Sequence, residues 1–250
     1  MKLNWEIPES DIKKIKDLLN TYKNHPMVQN RIKRNIDGFG IDLSRKSIWY
    51  SLVSCLLTSQ QRSGPESAVT RFQNTKPFPL DYELCVSVDN VRDFSNDIIR
   101  NFGGLRFHNR LADQIEINLN HLENDLWNKT ISVLKETRKT DSVENERKAA
   151  DYIEDNFKGF GPKQSRNLLQ ALGCTKYEIP IDSRITKWLN NFDFPVKLSA
   201  ASLSDRNYYQ FVSNGIQVLC KESGVYPCVL DAAIFVSFDD GGWTTKNIVW

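Results

Sequence analysis

Two glycines, at positions 159 and 161, limit the fold of this chain more than any other feature of its sequence. Apolar residues recur at intervals of three and four before Gly159 and after Gly161, a pattern typical of amphipathic helices. Pro162 stands where a helix accepts proline best, at its first position. The sequence therefore predicts two helices joined by a tight hairpin, whose bare N–H groups beside a helix N-terminus can bind a phosphate.

The segment around this hairpin is strongly basic, although the whole chain carries a net charge of only +2. Residues 158–187 contain six lysines and arginines against two acidic residues. A net charge of +2 is low for a protein that coats nucleic acid, but one local basic patch is enough for a protein that binds and releases it.

Two side chains in the basic segment have the chemistry of a catalytic pair. Lys163 falls in the first turn of the second predicted helix, where the helix dipole and burial lower the pKa of an amine and make it a better nucleophile. Asp182 follows 19 positions later, and a carboxylate facing that amine would stabilise a cationic sugar transition state. Two alternatives remain open: Lys163 could contact phosphate alone, and Asp182 could be only a helix N-cap.

The stretch GFGPKQSRNLLQALG followed by IPIDSRI resembles the signature of the helix-hairpin-helix DNA glycosylase superfamily, in the form with lysine at the hairpin and aspartate after it. The resemblance implies an all-α fold of two helical lobes, with a cleft between them and the hairpin at their junction. It implies a base-excision-repair enzyme in which Lys163 forms a Schiff base and Asp182 is the carboxylate, so that a base is released and the strand is nicked. The substrate it implies is an oxidised purine, 8-oxoguanine, in duplex DNA.

The largely apolar run 47–59 predicts a helix buried on most sides. The Gln60-Gln61-Arg62 sequence that follows resembles the family's loop that inserts a polar side chain into the duplex. We expect Gln60 to be this wedge, because glutamine both fills the gap and hydrogen-bonds base edges, with Gln61 and Arg62 beside it. The alternative is a polar helix end in solvent.

Other candidate DNA contacts follow from the same resemblance. Residues 102–115 look like the family's glycine turn and basic helix start, in which Arg106 and His108 would touch the strand opposite the lesion. Gly159, Gly161 and Arg184 would contact the strand at the hairpin. The alternative for the first segment is an ordinary basic turn of a surface helix.

The candidate base pocket comes from the C-terminal third of the chain. In a predicted helix over 229–238, Asp231 and Phe235 share a face because they are four residues apart. In the 8-oxoguanine glycosylases a glutamine and a phenylalanine at similar positions hold the flipped base; here Asp231 would accept hydrogen bonds from guanine N–H groups and Phe235 would stack. Asn167 replaces the cysteine that lies under the base in those enzymes. The alternative is a core phenylalanine and a helix-capping aspartate.

Three units are expected along the chain. Residues 1–46 would supply an N-terminal helix packed on the C-terminal lobe, 47–158 a helical lobe with the wedge loop, and 159–250 the hairpin, the catalytic residues and the C-terminal lobe. The highly charged run 135–147 is expected to be a surface loop. Within it, Asp141 and Glu144 have the spacing of a capping box that would start the first hairpin helix near Ser142.

Composition argues against several classes of protein. No run approaches 18 apolar residues and the N-terminus lacks an apolar signal core, so we expect an intracellular protein, in the cytoplasm or nucleoid, or in the nucleus of a eukaryote. Five scattered cysteines fit reduced thiols. Some relatives hold an iron–sulfur cluster with four C-terminal cysteines, but only Cys220 and Cys228 stand there, so we expect no cofactor and no metal. The expected partner of a monomeric chain is damaged double-stranded DNA.

Two rival functions remain open. A monofunctional glycosylase for alkylated or mismatched bases would share the fold and Asp182, but it would not need Lys163. A non-enzymatic hairpin module would bind duplex DNA without releasing a base.

Overall fold

The computed structural model describes residues 4–61, 64–239 and 241–244, and within them the chain forms helices, turns and loops without a β-strand. The predicted all-α class is therefore confirmed for the described part of the chain. The α-helices are α1 Glu9–Tyr22, α2 Pro26–Arg31, α3 Arg45–Leu57, α4 Ala68–Asn74, α5 Tyr82–Ser87, α6 Val91–Phe102, α7 His108–His121, α8 Trp127–Lys139, α9 Val143–Asn156, α10 Pro162–Ala171, α11 Ser183–Asn191, α12 Arg206–Ser223 and α13 Pro227–Ser237. Among these described helices, none is long and apolar enough to cross a lipid bilayer.

Two apolar cores hold the helices together. The first is built around α3, which is buried on most sides as predicted, and its members run from Ile48 to Cys174. The second combines Ile15 and Val28 with apolar residues from Ile179 onward. The boundary between the cores thus lies after Cys174, because α10 contributes its apolar face to the first core.

The N-terminal helices pack on the C-terminal ones. Helix α1 contacts α12 and α13, and α2 contacts α13. The division into units 1–46, 47–158 and 159–250 stays a prediction. The first core extends past residue 159, so the apolar packing does not divide the chain at that position.

The predicted hairpin lies between α9 and α10, and Pro162 is at the first position of α10. Gly159 has a φ of 89°, a conformation that disfavours residues with a side chain. A Cβ atom at this position would also approach the side chains of Gln114 and Leu56 to 2.7–2.8 Å. Asn118 fastens the hairpin to α7, since it donates to the Lys158 carbonyl at 2.9 Å and accepts from the Lys158 N–H at 2.7 Å.

The prediction of a surface loop over 135–147 is wrong. Helices α8 and α9 extend into this run from both sides and leave only three residues between them. Ser142, not Asp141, caps α9 by accepting from the N–H of Asn145 at 3.3 Å. Asp141 forms an ion pair with Lys176 at 3.1 Å instead, so a tertiary contact has replaced the predicted local one.

A buried ion pair joins the hairpin helix to the loop that follows it. Arg166 of α10 donates through Nε to Glu178 Oε2 at 2.8 Å, and neither side chain has exposed surface. Arg147 of α9 adds a contact from Nη2 to Oε1 at 2.9 Å. Burial would raise the pKa of Glu178, but the two guanidinium groups hold that pKa below its ordinary value.

A second carboxylate holds the same loop. Glu146 of α9 accepts hydrogen bonds from the backbone N–H groups of Lys176, Tyr177 and Glu178 at 2.8–2.9 Å, and from the Thr175 hydroxyl at 2.5 Å. The loop between α10 and α11 is therefore fixed by two buried acidic side chains rather than by apolar packing alone.

We expect Glu178→Gln to lower the free energy of unfolding by about 3–5 kcal/mol, because it removes the main counter-charge of the buried Arg166 and leaves only the more distant Asp151, at 3.8 Å. The folded-state pKa of Glu178 is lowered, so its contribution should be present above the unfolded pKa and be lost as pH falls through the folded one. Urea denaturation at several pH values measures both effects. Glu144→Gln, which removes an exposed pair with Lys148, is the control and should change little. If the two substitutions changed the free energy of unfolding equally, the stabilising role of the buried pair between Glu178 and Arg166 would be refuted.

Candidate active site

A cleft of about 1070 Å³ lies where the two cores meet. Its walls come from the end of α3, from the hairpin helix α10, and from α2, α11 and α13. Most of the site residues predicted from the sequence line it: Gln60, Gln61, Gly161, Lys163, Asn167, Asp182, Arg184, Asp231 and Phe235. Gly159, Arg106 and His108 do not line it, and Arg62 lies outside the described residues.

Lys163 lies in the first turn of α10, partly buried, with its amine in the cleft. Its Nζ donates to Gln164 Oε1 at 3.2 Å. Burial lowers the pKa of Lys163, and the negative charge of Asp182 opposes that shift only in part. The amine therefore loses its proton more easily than an ordinary lysine does, as nucleophilic attack requires.

Asp182 is the N-cap of α11, as the structural alternative anticipated. Its Oδ1 accepts from the backbone N–H groups of Arg184 at 2.8 Å and Ile185 at 3.0 Å. Its Oδ2 accepts from the Arg184 guanidinium at 3.3 Å. The cap does not remove the carboxylate from the cleft, because the side chain still lines it and acts electrostatically on Lys163.

The backbone before Asp182 is held by a phenol from α12. The Tyr209 hydroxyl accepts from the Ile181 N–H at 2.6 Å and donates to the Ile179 carbonyl at 2.7 Å. Tyr209 is fully buried, so this contact fixes the loop backbone that leads to Asp182.

Asp231 lies in the wall of the cleft within a buried polar cluster. Its Oδ2 accepts from Arg31 Nη1 at 3.0 Å and from Gln170 Nε2 at 2.8 Å. Burial raises the pKa of Asp231, and the positive charge of Arg31 opposes that rise. The helix-cap alternative for Asp231 is wrong, because α13 begins at Pro227, a full turn earlier.

Arg31 and Gln170 are site residues that the sequence did not reveal. Arg31 is 200 positions from Asp231 and belongs to a six-residue helix with no distinctive motif. Gln170 stands two turns after Lys163 on the same helix, and that spacing was the only available signal.

Phe235 forms part of an aromatic and cationic wall. The Arg184 guanidinium lies over its ring at 4.2 Å from the centroid. Trp243 packs at a tilt, with 5.9 Å between ring centroids. Phe235 is partly exposed, so it is a wall of the cleft more than a member of the apolar core.

The predicted wedge lies at the rim of the cleft in a constrained loop. Gln60 has a φ of 57°, in the left-handed region, and its Oε1 accepts from Arg110 at 3.1 Å. Gln61 bridges two elements, because its Oε1 accepts from the Arg106 N–H at 2.7 Å while its Nε2 donates to the Leu57 carbonyl at 2.9 Å. Both glutamines are thus held by the start of α7.

The basic helix start of α7 forms its own cluster beside this loop. The guanidinium groups of Arg106 and Arg110 lie over the Phe107 ring at 4.7 and 4.4 Å from its centroid. His108 Nδ1 is 2.7 Å from Asn96 Oδ1 of α6. These side chains do not line the cleft, and their contact with an opposite strand stays a prediction.

The two hairpin glycines differ in what they require. Gly159 is packed against side chains, whereas nothing lies within 4 Å of the position that a Cβ atom of Gly161 would occupy. Gly161 has an ordinary negative φ, so its backbone conformation does not require glycine. The lack of a side chain at this position leaves open space in the cleft wall.

The described residues contain no group of three or more His, Cys, Asp or Glu side chains arranged to hold a metal ion. All five cysteines are free thiols and are buried. The ionisable groups that line the cleft include the amines of Lys163 and Lys187 and the carboxylates of Asp182 and Asp231.

No protein-family model matches the chain. Over 94 residues the chain is 30% identical to an 8-oxoguanine DNA glycosylase/AP lyase of Thermoplasma volcanium, a match that covers 38% of this chain and 43% of that relative. The matched stretch thus spans less than half the length of the curated relative.

Solved structures share the fold over nearly the whole chain. The 8-oxoguanine DNA glycosylase of Methanocaldococcus jannaschii has a TM-score of 0.68 and 19% identity, covering 92% of this chain and 94% of that one. The glycosylase/lyase of the same organism in complex with a 15mer DNA containing 8-oxoguanine has a TM-score of 0.68 and 17% identity, covering 91% and 96%. The 8-oxoguanine DNA glycosylase of Thermotoga maritima has a TM-score of 0.66 and 16% identity, covering 93% and 98%. The resemblance predicted from the sequence is confirmed, and the chain has the all-α fold of these glycosylases.

Asp182→Ala should lower the free energy of unfolding by about 1 kcal/mol, because two backbone N–H groups of α11 lose their acceptor. Asp182→Asn keeps a capping oxygen and should cost much less. Chemical denaturation followed by circular dichroism compares the two variants. The same loss in both would mean that the charge of Asp182, not its cap, stabilises α11.

Proposed function

We propose that this chain is a base-excision-repair DNA glycosylase with AP lyase activity, which removes 8-oxoguanine from duplex DNA. The observation that carries the proposal is a lysine of lowered pKa that shares one cleft with a capping aspartate. A curated relative is named 8-oxoguanine DNA glycosylase/AP lyase, and a structural neighbour was solved with DNA containing 8-oxoguanine.

Lys163 is the proposed nucleophile. The neutral amine attacks C1′ of the damaged nucleotide, the bond from C1′ to the base breaks, and the base leaves with the bonding electrons. Loss of a proton from the amine and opening of the sugar give a Schiff base, from which β-elimination cleaves the strand on the 3′ side. Lowered basicity supports this role, because an ammonium group has no lone pair to donate.

Asp182 is the proposed electrostatic partner of this step. As the base departs, positive charge develops on the sugar, and a carboxylate that is already fixed needs little reorganisation to stabilise it. Three hydrogen bonds from the start of α11 hold the carboxylate in place. Its role is to stabilise charge, while the lysine forms the covalent bond.

The proposed duplex lies along the hairpin and the Gln60 loop. The N–H groups around Gly159 and Gly161 would bind phosphate at the start of α10. Gln60, held at the rim by Arg110, would fill the gap left by the flipped nucleotide, with Gln61 and Arg62 beside it. Arg106 and His108 would contact the opposite strand, and one chain would supply the whole site.

The base pocket is the part of the cleft between Asp231 and Phe235. Arg31 and Gln170 both donate to Oδ2 of Asp231, and Oδ1 accepts no hydrogen bond from the described residues. That free oxygen is a hydrogen-bond acceptor suited to the N1–H and amino groups of a guanine-type base. Phe235 would stack on the base, and Asn167 would lie near it on the hairpin helix.

Lys163→Gln should abolish covalent capture of the protein on DNA, because the substituted side chain cannot form a Schiff base. The measurement is borohydride trapping on labelled duplexes that carry 8-oxoguanine, another oxidised base or an abasic site. Binding to an uncleavable abasic analogue serves as the control and should change little. An adduct that persists in this variant would refute the nucleophile. Wild-type adducts at abasic sites alone would retain the lyase and refute 8-oxoguanine as substrate.

Asp231→Asn should reduce release of 8-oxoguanine by about tenfold or more, which corresponds to one lost hydrogen bond to a charged acceptor. Arg31 and Gln170 both donate, so the amide oxygen must take the Oδ2 position and an N–H₂ group then replaces the free acceptor. Single-turnover base release measures the effect, and trapping at an abasic site, where no base is read, should not slow, because loss of the Asp231 charge favours the neutral form of Lys163. Equal losses on both substrates would contradict base recognition.

A further inference from the structure

The residue that follows the proposed nucleophile is held in one orientation. Gln164 is 7% exposed, and its Nε2 donates to the carbonyl of Cys55 on α3 at 2.7 Å. Turning the amide over would bring its oxygen against that carbonyl oxygen, which is unfavourable in a buried place. The bond to Cys55 therefore determines which end of the amide faces the cleft.

The end that faces the cleft is an acceptor. Gln164 Oε1 accepts from Lys163 Nζ at 3.2 Å and from Asn167 Nδ2 at 3.2 Å. Asn167 Nδ2 also lies 3.5 Å from the Thr58 hydroxyl, which donates to the same Cys55 carbonyl at 2.7 Å. The acceptor is thus fixed to the end of α3 by two routes, and it accepts one hydrogen bond from the amine of Lys163.

A fixed acceptor beside a neutral amine restricts where its lone pair can point. A primary amine has two N–H groups and one lone pair, and rotation about the bond from Cε to Nζ exchanges them. When one N–H is donated to a fixed oxygen, fewer directions remain for the lone pair, which lowers the entropic cost of reaching the attack geometry.

The chemical nature of the acceptor also matters. The charged and titratable groups that act on Lys163 are Asp182 and Asp231, Cys55, and Arg184. The two carboxylates favour the ammonium form, whereas burial and Arg184 favour the neutral amine. A carboxylate at position 164 would be a third anion in direct contact, and it would favour the unreactive ammonium. An amide supplies the acceptor without that charge.

We infer that Gln164 is a positioning residue for the Lys163 amine: it orients the nucleophile as a neutral acceptor that does not favour its protonation. The inference rests on the proposed role of Lys163. Gln164 orients the amine of Lys163, and the hydrogen bond to the Cys55 carbonyl orients Gln164.

The test is the pH dependence of trapping for two substitutions of similar size. The rate of adduct formation with cyanoborohydride is measured on a duplex with a preformed abasic site, so that base release does not enter. Gln164→Glu should shift the profile to higher pH by about one unit or more, so that the rate near pH ~7 falls about tenfold and recovers in alkali. Gln164→Met removes the acceptor without adding charge, so it should slow trapping at every pH without moving the profile upward.

Controls separate this effect from loss of folding and from a general change of charge. Gln29→Glu makes the same change at an exposed position on α2, outside the cleft wall, and should leave the profile unchanged. Thermal unfolding and binding to an uncleavable abasic analogue show that each variant is folded. A wild-type profile in Gln164→Glu would overturn the inference. If that variant does not fold, a wild-type rate for Gln164→Met at every pH would do the same.

Failure of the proposed function would look different. Wild-type protein that forms no adduct, or an adduct that Lys163→Gln also forms, would refute the nucleophile itself. Wild-type trapping that depends on Lys163 but is insensitive to both substitutions at position 164 would refute only the role of Gln164.

Discussion

The ion pair between Arg166 and Glu178 is the interaction on which the candidate site depends. Arg166 lies three positions after Lys163 on α10, and Glu178 lies four positions before Asp182 in the loop that follows α10. A buried charge without an opposite charge in contact costs several kcal/mol, and each of these two residues is the main partner of the other, with Arg147 and Asp151 as secondary partners. The pair therefore couples the position of the amine to that of the carboxylate, and Glu146 and Tyr209 fix the chain between them.

The site combines opposed demands on a single amine. Burial lowers the pKa of Lys163 and favours the form with a lone pair, while Asp182, the proposed stabiliser of a cationic sugar, favours the ammonium. The first effect prevails because the carboxylate of Asp182 is shared with the N-terminus of α11 and with Arg184. A cap that looks merely structural thereby reduces the charge that the lysine experiences, since the helix and the arginine neutralise part of it.

The sequence predicts what is encoded locally. The hairpin, the proline at the start of α10 and the cap at Asp182 all follow from neighbouring residues, and the structure contains all three. The Asp141 capping box failed because Lys176, 35 positions away, pairs with that aspartate. Gln164 stands next to Lys163, yet its orientation depends on a carbonyl 109 positions earlier. No local pattern reports such contacts, because they exist only after the two cores meet.

Buried polar links cross between the cores, and two that involve a charged group limit how the cleft can move. Arg166 joins α10 of the first core to Glu178 at the beginning of the second, and Gln170 of α10 joins Asp231 of α13. Separating the cores would leave a charged group without its partner at both places. The free-energy cost of this is far higher than that of sliding one apolar surface over another. These links favour a cleft that is largely preformed. Under the proposed function, a nucleotide that enters such a cleft must leave its own stack, so the deformation would fall on the duplex, where an already weakened pair yields most easily.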